Sequence, residues 1–123
     1  MLSAPTISQY AGIEALRTWR QNVPPMIEIY NQRRRIIVNG LRSIGIDCHM
    51  PEGAFYAFPS IKKFGLSSKD FCLGLLQQEN VAIVPGTAFS DIAGEGYVRC
   101  AYAASFEKIE LALAGLKRFI NSL

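Results

Sequence analysis

Apolar and polar residues alternate with helical spacing at both ends of the chain and with strand spacing in its second half. Thr6, with Gln9 three places on, reads as the cap of a first helix running to about Arg20, its apolar side made by Ile13, Leu16 and Trp19 and its outer side by Arg17 and Arg20. Pro24-Pro25 interrupts that pattern and suits the first turn of a second, longer helix, because proline lacks a donor that the first turn leaves unpaired anyway. Ile27, Tyr30, Ile37, Leu41 and Ile44 keep three- and four-residue spacing along it and predict one core-facing stripe ending at Gly45. Ile46–Cys48 predicts a brief strand, Pro51-Glu52-Gly53 a turn, and Ala54–Phe58 a strand with aromatics on both faces, so that both are covered or one is turned towards a site. Ser67 or Ser68 opens another helix with Asp70 in its first turn and Phe71, Leu75, Cys72 and Leu76 as buried pairs. A strand from Val81 stops at Pro85-Gly86, another resumes after Gly94-Glu95-Gly96, and Ser105 caps a last helix with Phe106, Ile109, Leu113, Leu116 and Ile120 inside.

The order is two helices, strand, helix, strand, strand, helix, with no internal repeat or linker. It predicts an α+β fold: a small mixed or antiparallel sheet covered by helices and preceded by a long helix. The 123 residues make one domain, half of them hydrophobic and 19% charged, which fits an ordered globule. A net charge of +3, with basic residues spread out apart from Arg33-Arg34-Arg35, does not point to nucleic acid; that run reads as a solvated helix face. Cys48, Cys72 and Cys100 have no metal-ligand spacing and no Cys or His cluster beside them, so a reducing, cytoplasmic setting without metal or disulfides is expected. His49 reads as a surface loop residue. No stretch is long and apolar enough for a membrane span. Phosphate-loop, zincin and esterase-elbow motifs are absent.

The stretch VAIVPGTAFSDIAGEGYVRCAYA, Val81 to Ala103, carries the chemistry. In its second strand Tyr97, Arg99, Ala101 and Ala103 share one face, and Val98, Cys100 and Tyr102 the other. Arg99 is therefore a charge in an otherwise uncharged strand and needs an anion or polar acceptors. Two readings fit the pattern: an internal ion pair with Asp91, Glu95 or Glu52, or a planar fork offered to a carboxylate from outside the chain. Gly94-Glu95-Gly96 is read as a tight turn with positive φ at one residue.

Taken together, PTISQYAGIEAL, PEGAFYAFP and NVAIVPGTAFSDIAGEGYVRCAYA resemble the C-terminal third of class I/II pyridoxal-phosphate aminotransferases of the aspartate aminotransferase fold. The resemblance runs from about Ser3 to Leu123. In that family, Pro-Gly-x-x-Phe and Gly-Glu-x-x-x-Arg lead to an arginine that grips the substrate α-carboxylate; Pro85, Gly86, Phe89, Gly94, Glu95 and Arg99 match them, and Gly53 and Phe55 fall where the small domain closes on the active site. Ser90 departs from the pattern, since many relatives carry Gly there. The resemblance implies that residues 1–24 form the helix leading to a large domain, which would hold pyridoxal 5'-phosphate on a lysine and pair the ring nitrogen with an aspartate. The nearest lookalike here, Ser67-Ser68-Lys69, has Leu66 and Gln77 where the family wants Gly or Ser and a phosphate-binding Arg, so Lys69 is expected at the surface. The resemblance thus implies an inactive C-terminal small domain of a homodimeric aminotransferase, binding an amino-acid or 2-oxo-acid carboxylate through Arg99 and no cofactor itself. The alternative is a stand-alone carboxylate-binding or dimerisation module without catalysis.

Overall fold

The structure, a computed structural model, describes residues 3–123. Its first element is one helix, α1 (Thr6–Ser43), where the sequence predicts two. Pro24 and Pro25 lie inside it. They deprive the carbonyls of Arg20 and Gln21 of helical donors, but residues 19–29 are all exposed, so water can take those carbonyls and the helix continues. Thr6 is not the cap: Pro5 occupies that position without a side-chain hydrogen bond, and Thr6 is the first helical residue. At the other end the Gly45 N–H bonds Arg42 O at 2.9 Å and the Ile46 N–H bonds Leu41 O at 2.9 Å. This Schellman closure needs the left-handed φ of +83° at Gly45.

Only the second half of α1 joins the core. Ile37, Val38 and Leu41 are buried and Tyr30 packs against them, whereas Ile27, counted on the sequence stripe, is exposed. Ile13, Leu16, Trp19, Val23 and Met26 are exposed as well, leaving an apolar helix face with no covering element among the described residues.

A three-stranded antiparallel sheet lies beyond: β1 (Tyr56–Ala57), β2 (Val84–Pro85) and β3 (Val98–Ala101), with β3 in the middle. Predicted strands shrink here, the one from Val81 to Val84–Pro85 alone. Ile46–Cys48 contributes only an isolated bridge between Asp47 and Ser60, and the run Ala54–Phe58 keeps two strand residues because Pro59 and a left-handed Ala54 end the pairing on either side. Val98, Cys100 and Tyr102 face inward onto a core shared with α2 (Ser68–Glu79) and α3 (Phe106–Asn121), through Phe71, Leu75, Ile109 and Phe119. Ser67 accepts the Asp70 N–H at 3.0 Å and Ser105 the Lys108 N–H at 3.3 Å, so both predicted caps form. Leu76, expected inside, is exposed; the buried residues of α2 are Ser68, Phe71, Cys72 and Leu75.

Candidate functional site

Strand alternation puts Arg99 on the face of β3 opposite the core, half-buried beside Tyr97. Tyr56 of β1 pairs with Ala101, two residues along, so it stands diagonally across from Arg99 on the same face. Its ring lies 4.3 Å from the guanidinium carbon. Phe89 comes from elsewhere, the end of a 3-10 turn (Gly86–Ala88) after β2, and its ring lies 4.5 Å from the same carbon. Phe58 and Tyr97 extend this aromatic surface, with Phe58 6.0 Å from both the Phe89 and the Tyr97 ring.

Phe89 reaches Arg99 because two glycines interlock. A Cβ on Gly86 would lie 2.2 Å from the Gly94 carbonyl oxygen, and one on Gly94 would meet Gly86 backbone as closely. The two chain segments touch backbone to backbone, which folds residues 86–97 back onto β3. Gly96 supplies the expected positive φ of +78°. Ser68, fully buried, ties this loop to α2: its hydroxyl oxygen accepts the Gly96 N–H at 2.9 Å, and its own N–H donates to Glu95 Oε1 at 2.8 Å.

That last bond decides one alternative from the sequence. Glu95 is engaged by a backbone amide, and the one ion pair among the described residues joins Arg118 to Glu79, away from Arg99. The internal ion pair with Asp91, Glu95 or Glu52 does not form. Arg99 Nε is buried without a hydrogen-bond partner. The cation lies over two aromatic rings in place of an acid.

The other sequence candidates are dispersed. The arginine run is not one solvated face: Arg34 donates to Pro51 O and Asn31 Oδ1, Arg33 lies 5.4 Å from both the Tyr30 and Phe106 rings, and only Arg35 is exposed. Cys48, Cys72 and Cys100 are free, buried thiols; burial pushes Cys72 up to about 11 and Cys100 up to about 12, which suppresses the nucleophilic thiolate. Among the described residues no group of three His, Cys, Asp or Glu side chains could hold a metal ion. Lys69 is exposed in the first turn of α2, Lys63 donates to Gly45 O, and Lys62 lies 4.6 Å from the Tyr97 ring. The set around Arg99 is thus aromatic, with no carboxylate placed to pair a pyridine nitrogen. Among the described residues, those around Arg99 do not fit pyridoxal phosphate as an anchored group. Two cavities, of about 540 and 420 Å³, do not include Arg99 in their walls.

Residues 1–116 match the family model for aminotransferase class I and II. The chain belongs to that family. It is 48% identical over 117 residues to an aspartate aminotransferase of Pyrococcus horikoshii, an alignment covering 92% of this chain and 29% of that enzyme. The crystal structure of an aromatic aminotransferase from Pyrococcus horikoshii superposes with a TM-score of 0.87 at 42% identity, over 93% of this chain and 31% of that one. The aspartate aminotransferase from Thermus thermophilus with maleate gives a TM-score of 0.86 at 35% identity, over 95% of this chain and 30% of that one. The chain spans about a third of the length of the curated relatives it matches.

As an aminotransferase segment, the molecule places the motif residues found in the sequence around one point: Gly86 and Gly94 in the interlock, Phe89 and Arg99 in the clasp. The Tyr56 half of the clasp escaped sequence reading. The signal available was register, since the pairing of β1 with β3 is what sets Tyr56 diagonally opposite Arg99.

Proposed function

We propose that this chain is the C-terminal part of an aminotransferase moving an amino group between an amino acid and a 2-oxo acid, with Arg99 binding the substrate α-carboxylate. The observation that carries the reading is the Arg99 guanidinium against the Tyr56 and Phe89 rings, its carbon 4.3 and 4.5 Å from their centroids, with no acidic partner among the described residues. A planar fork of this kind gives a carboxylate two parallel N–H bonds, and no internal acid competes for them. The maleate in the Thermus thermophilus relative, a dicarboxylate, is in keeping with this chemistry.

Both substrates of the reaction carry the same carboxylate, so one arginine can serve both half-reactions. Its contribution is orientation: fixing the carboxylate fixes the direction of the Cα–H bond relative to whatever group removes the proton. The cofactor of this family supplies the electron sink when bound, and we place its lysine, phosphate anchor and ring-nitrogen partner in a large domain outside these residues. The uncovered face of α1, Ile13 to Ile27, supports such a neighbour, since an apolar stripe of this length on a monomer's surface marks an interaction site. The complete enzyme is proposed to be a cytoplasmic homodimer.

The test is Arg99→Lys in the full-length protein. Lysine keeps the charge and loses the fork, so KM for amino acid and oxo acid should rise together by about tenfold or more. Unchanged turnover and affinity would refute the assignment. For these residues alone, pyridoxal phosphate should give only weak, reversible absorbance changes with surface lysines; a tight stoichiometric complex responding to amino acids would show that the cofactor machinery is not outside.

A further inference from the structure

Tyr102 is buried, one residue past the end of β3, and on the core face of the strand. A phenol hydroxyl in a core needs a partner, and this one donates to Ala54 O at 2.8 Å, with Gly53 O at 3.4 Å. The Tyr102 backbone N–H also bonds Phe55 O at 2.8 Å. One residue thus grips three consecutive residues of the turn before β1. That turn is strained, because Ala54 sits at φ +64°, a left-handed conformation unfavourable for a residue with a Cβ. A strained turn persists only where its surroundings hold it.

The strained residue lies two positions before Tyr56, whose ring centroid is 4.3 Å from the Arg99 guanidinium carbon. Phe55, between them, packs on Tyr30 of α1 with ring centroids 4.8 Å apart. β1 is only two residues long, so its own pairing with β3 gives Tyr56 little independent support. We infer that the Tyr102 hydroxyl is a positioning group: by holding the Gly53–Ala54 turn it sets the Tyr56 ring on the Arg99 guanidinium, and so sets the affinity of the carboxylate site. Arg99 and Tyr102 point to opposite faces of one strand. The connection runs around the strand through the 53–56 turn, not through it. Burial raises the Tyr102 phenol above its ordinary value, so the donor stays protonated through the neutral range.

The inference rests on the carboxylate-binding reading of Arg99, and the experiment separates the two. In the full-length enzyme, Tyr102→Phe removes one oxygen and keeps the ring. KM for amino acid and for oxo acid, and the inhibition constant for maleate as a non-reacting probe, should rise together about fivefold to twentyfold, with kcat within about twofold. Tyr56→Ala should give a comparable rise, and adding Tyr102→Phe to it should change KM by less than about twofold, because the hydroxyl acts through that ring. A purely structural hydroxyl would lower the melting temperature and leave these constants alone; that result, or effects of the two substitutions that multiply, overturns the inference. Should Tyr102→Phe not yield soluble holoenzyme, Ala54→Val decides: the exposed β-branched side chain disfavours the left-handed turn with the hydroxyl intact, and an unchanged KM would be equally fatal. Arg99→Lys run alongside distinguishes the failures. If it too leaves KM unchanged, the carboxylate site itself is wrong; if it raises KM while Tyr102→Phe does not, only the positioning role falls.

Discussion

Replacing Gly86 by alanine tests the interlock that brings Phe89 to Arg99. The new Cβ would lie 2.2 Å from Gly94 O, 2.8 Å from Tyr97 O and 3.0 Å from Gly94 C, all backbone atoms. The first distance is about 1 Å shorter than ordinary close C···O approach. Gly94 O cannot simply move away, since it accepts the Tyr97 N–H at 3.2 Å and the Ser68 hydroxyl at 3.3 Å, while the Gly94 N–H is held by Ser90 O at 2.9 Å. Nor can residue 86 recede, because its N–H bonds Tyr97 O at 2.8 Å. Relief therefore breaks one or two of these bonds at about 1 kcal/mol each, added to overpacking strain of about 1–3 kcal/mol. The expected loss is about 3 kcal/mol, read as a lower urea midpoint at unchanged slope in equilibrium unfolding followed by circular dichroism. KM for the amino acid should rise as well, because the displaced loop carries Phe89 off the guanidinium. A loss below about 1 kcal/mol would mean that the loop opens without cost and that the interlock does not position Phe89.

Ser68→Ala, which strips the buried Gly96 N–H of its acceptor, should cost about 1–3 kcal/mol in urea unfolding. Cys72 and Cys100 have folded pKa values of about 11 and about 12, above the unfolded value of 9.0, so the unfolded chain releases their protons first. Stability should be full below pH 9 and fall as pH rises towards 11–12; unfolding titrations should show a shallower alkaline decline for Cys100→Ala than for the parent. Gly12→Ala, in an exposed stretch of α1 with nothing within 4 Å of the added Cβ, should raise helicity and stabilise α1 by about 0.5–1 kcal/mol, measured by circular dichroism during thermal unfolding.

Local patterns carried most of the fold because most of its decisions are local. Ser67 and Ser105 begin helices through bonds within their own first turns, and the alternation of β3 sorted Val98, Cys100 and Tyr102 from Arg99 without knowledge of any neighbour. Failures came where solvent or distant chain decides. Pro24-Pro25 would end a buried helix, but in an exposed one the freed carbonyls find water, and exposure is not written in the dipeptide. Leu76 fits the apolar period of α2 and is nonetheless outside, because which residues of an apolar face are covered is decided by distant chain. At the site, Arg99 and Phe89 were legible through motif resemblance. The Tyr56 ring and the Tyr102 anchor were not, as both depend on the pairing of a two-residue strand and on one left-handed alanine.

The way Arg99 is held bears on what it can do. An arginine kept for an incoming carboxylate faces a conflict: unpartnered it is costly on a half-buried strand, and paired with an internal acid it is no longer available. Had Glu95 been its partner, a substrate would have had to displace a carboxylate of equal charge and geometry, with little gain per exchange. Here Glu95 is bound by the Ser68 amide, and the cation rests against two rings. Each ring is worth about 0.5–2 kcal/mol to the cation without accepting one of its N–H groups as an acid would. On the proposed reading, the clasp stabilises the arginine while the site is empty and leaves it available to a carboxylate. This is why small displacements of Tyr56 or Phe89, produced from Ala54 or Gly86, are expected to register as changes in substrate affinity before they register as loss of the fold.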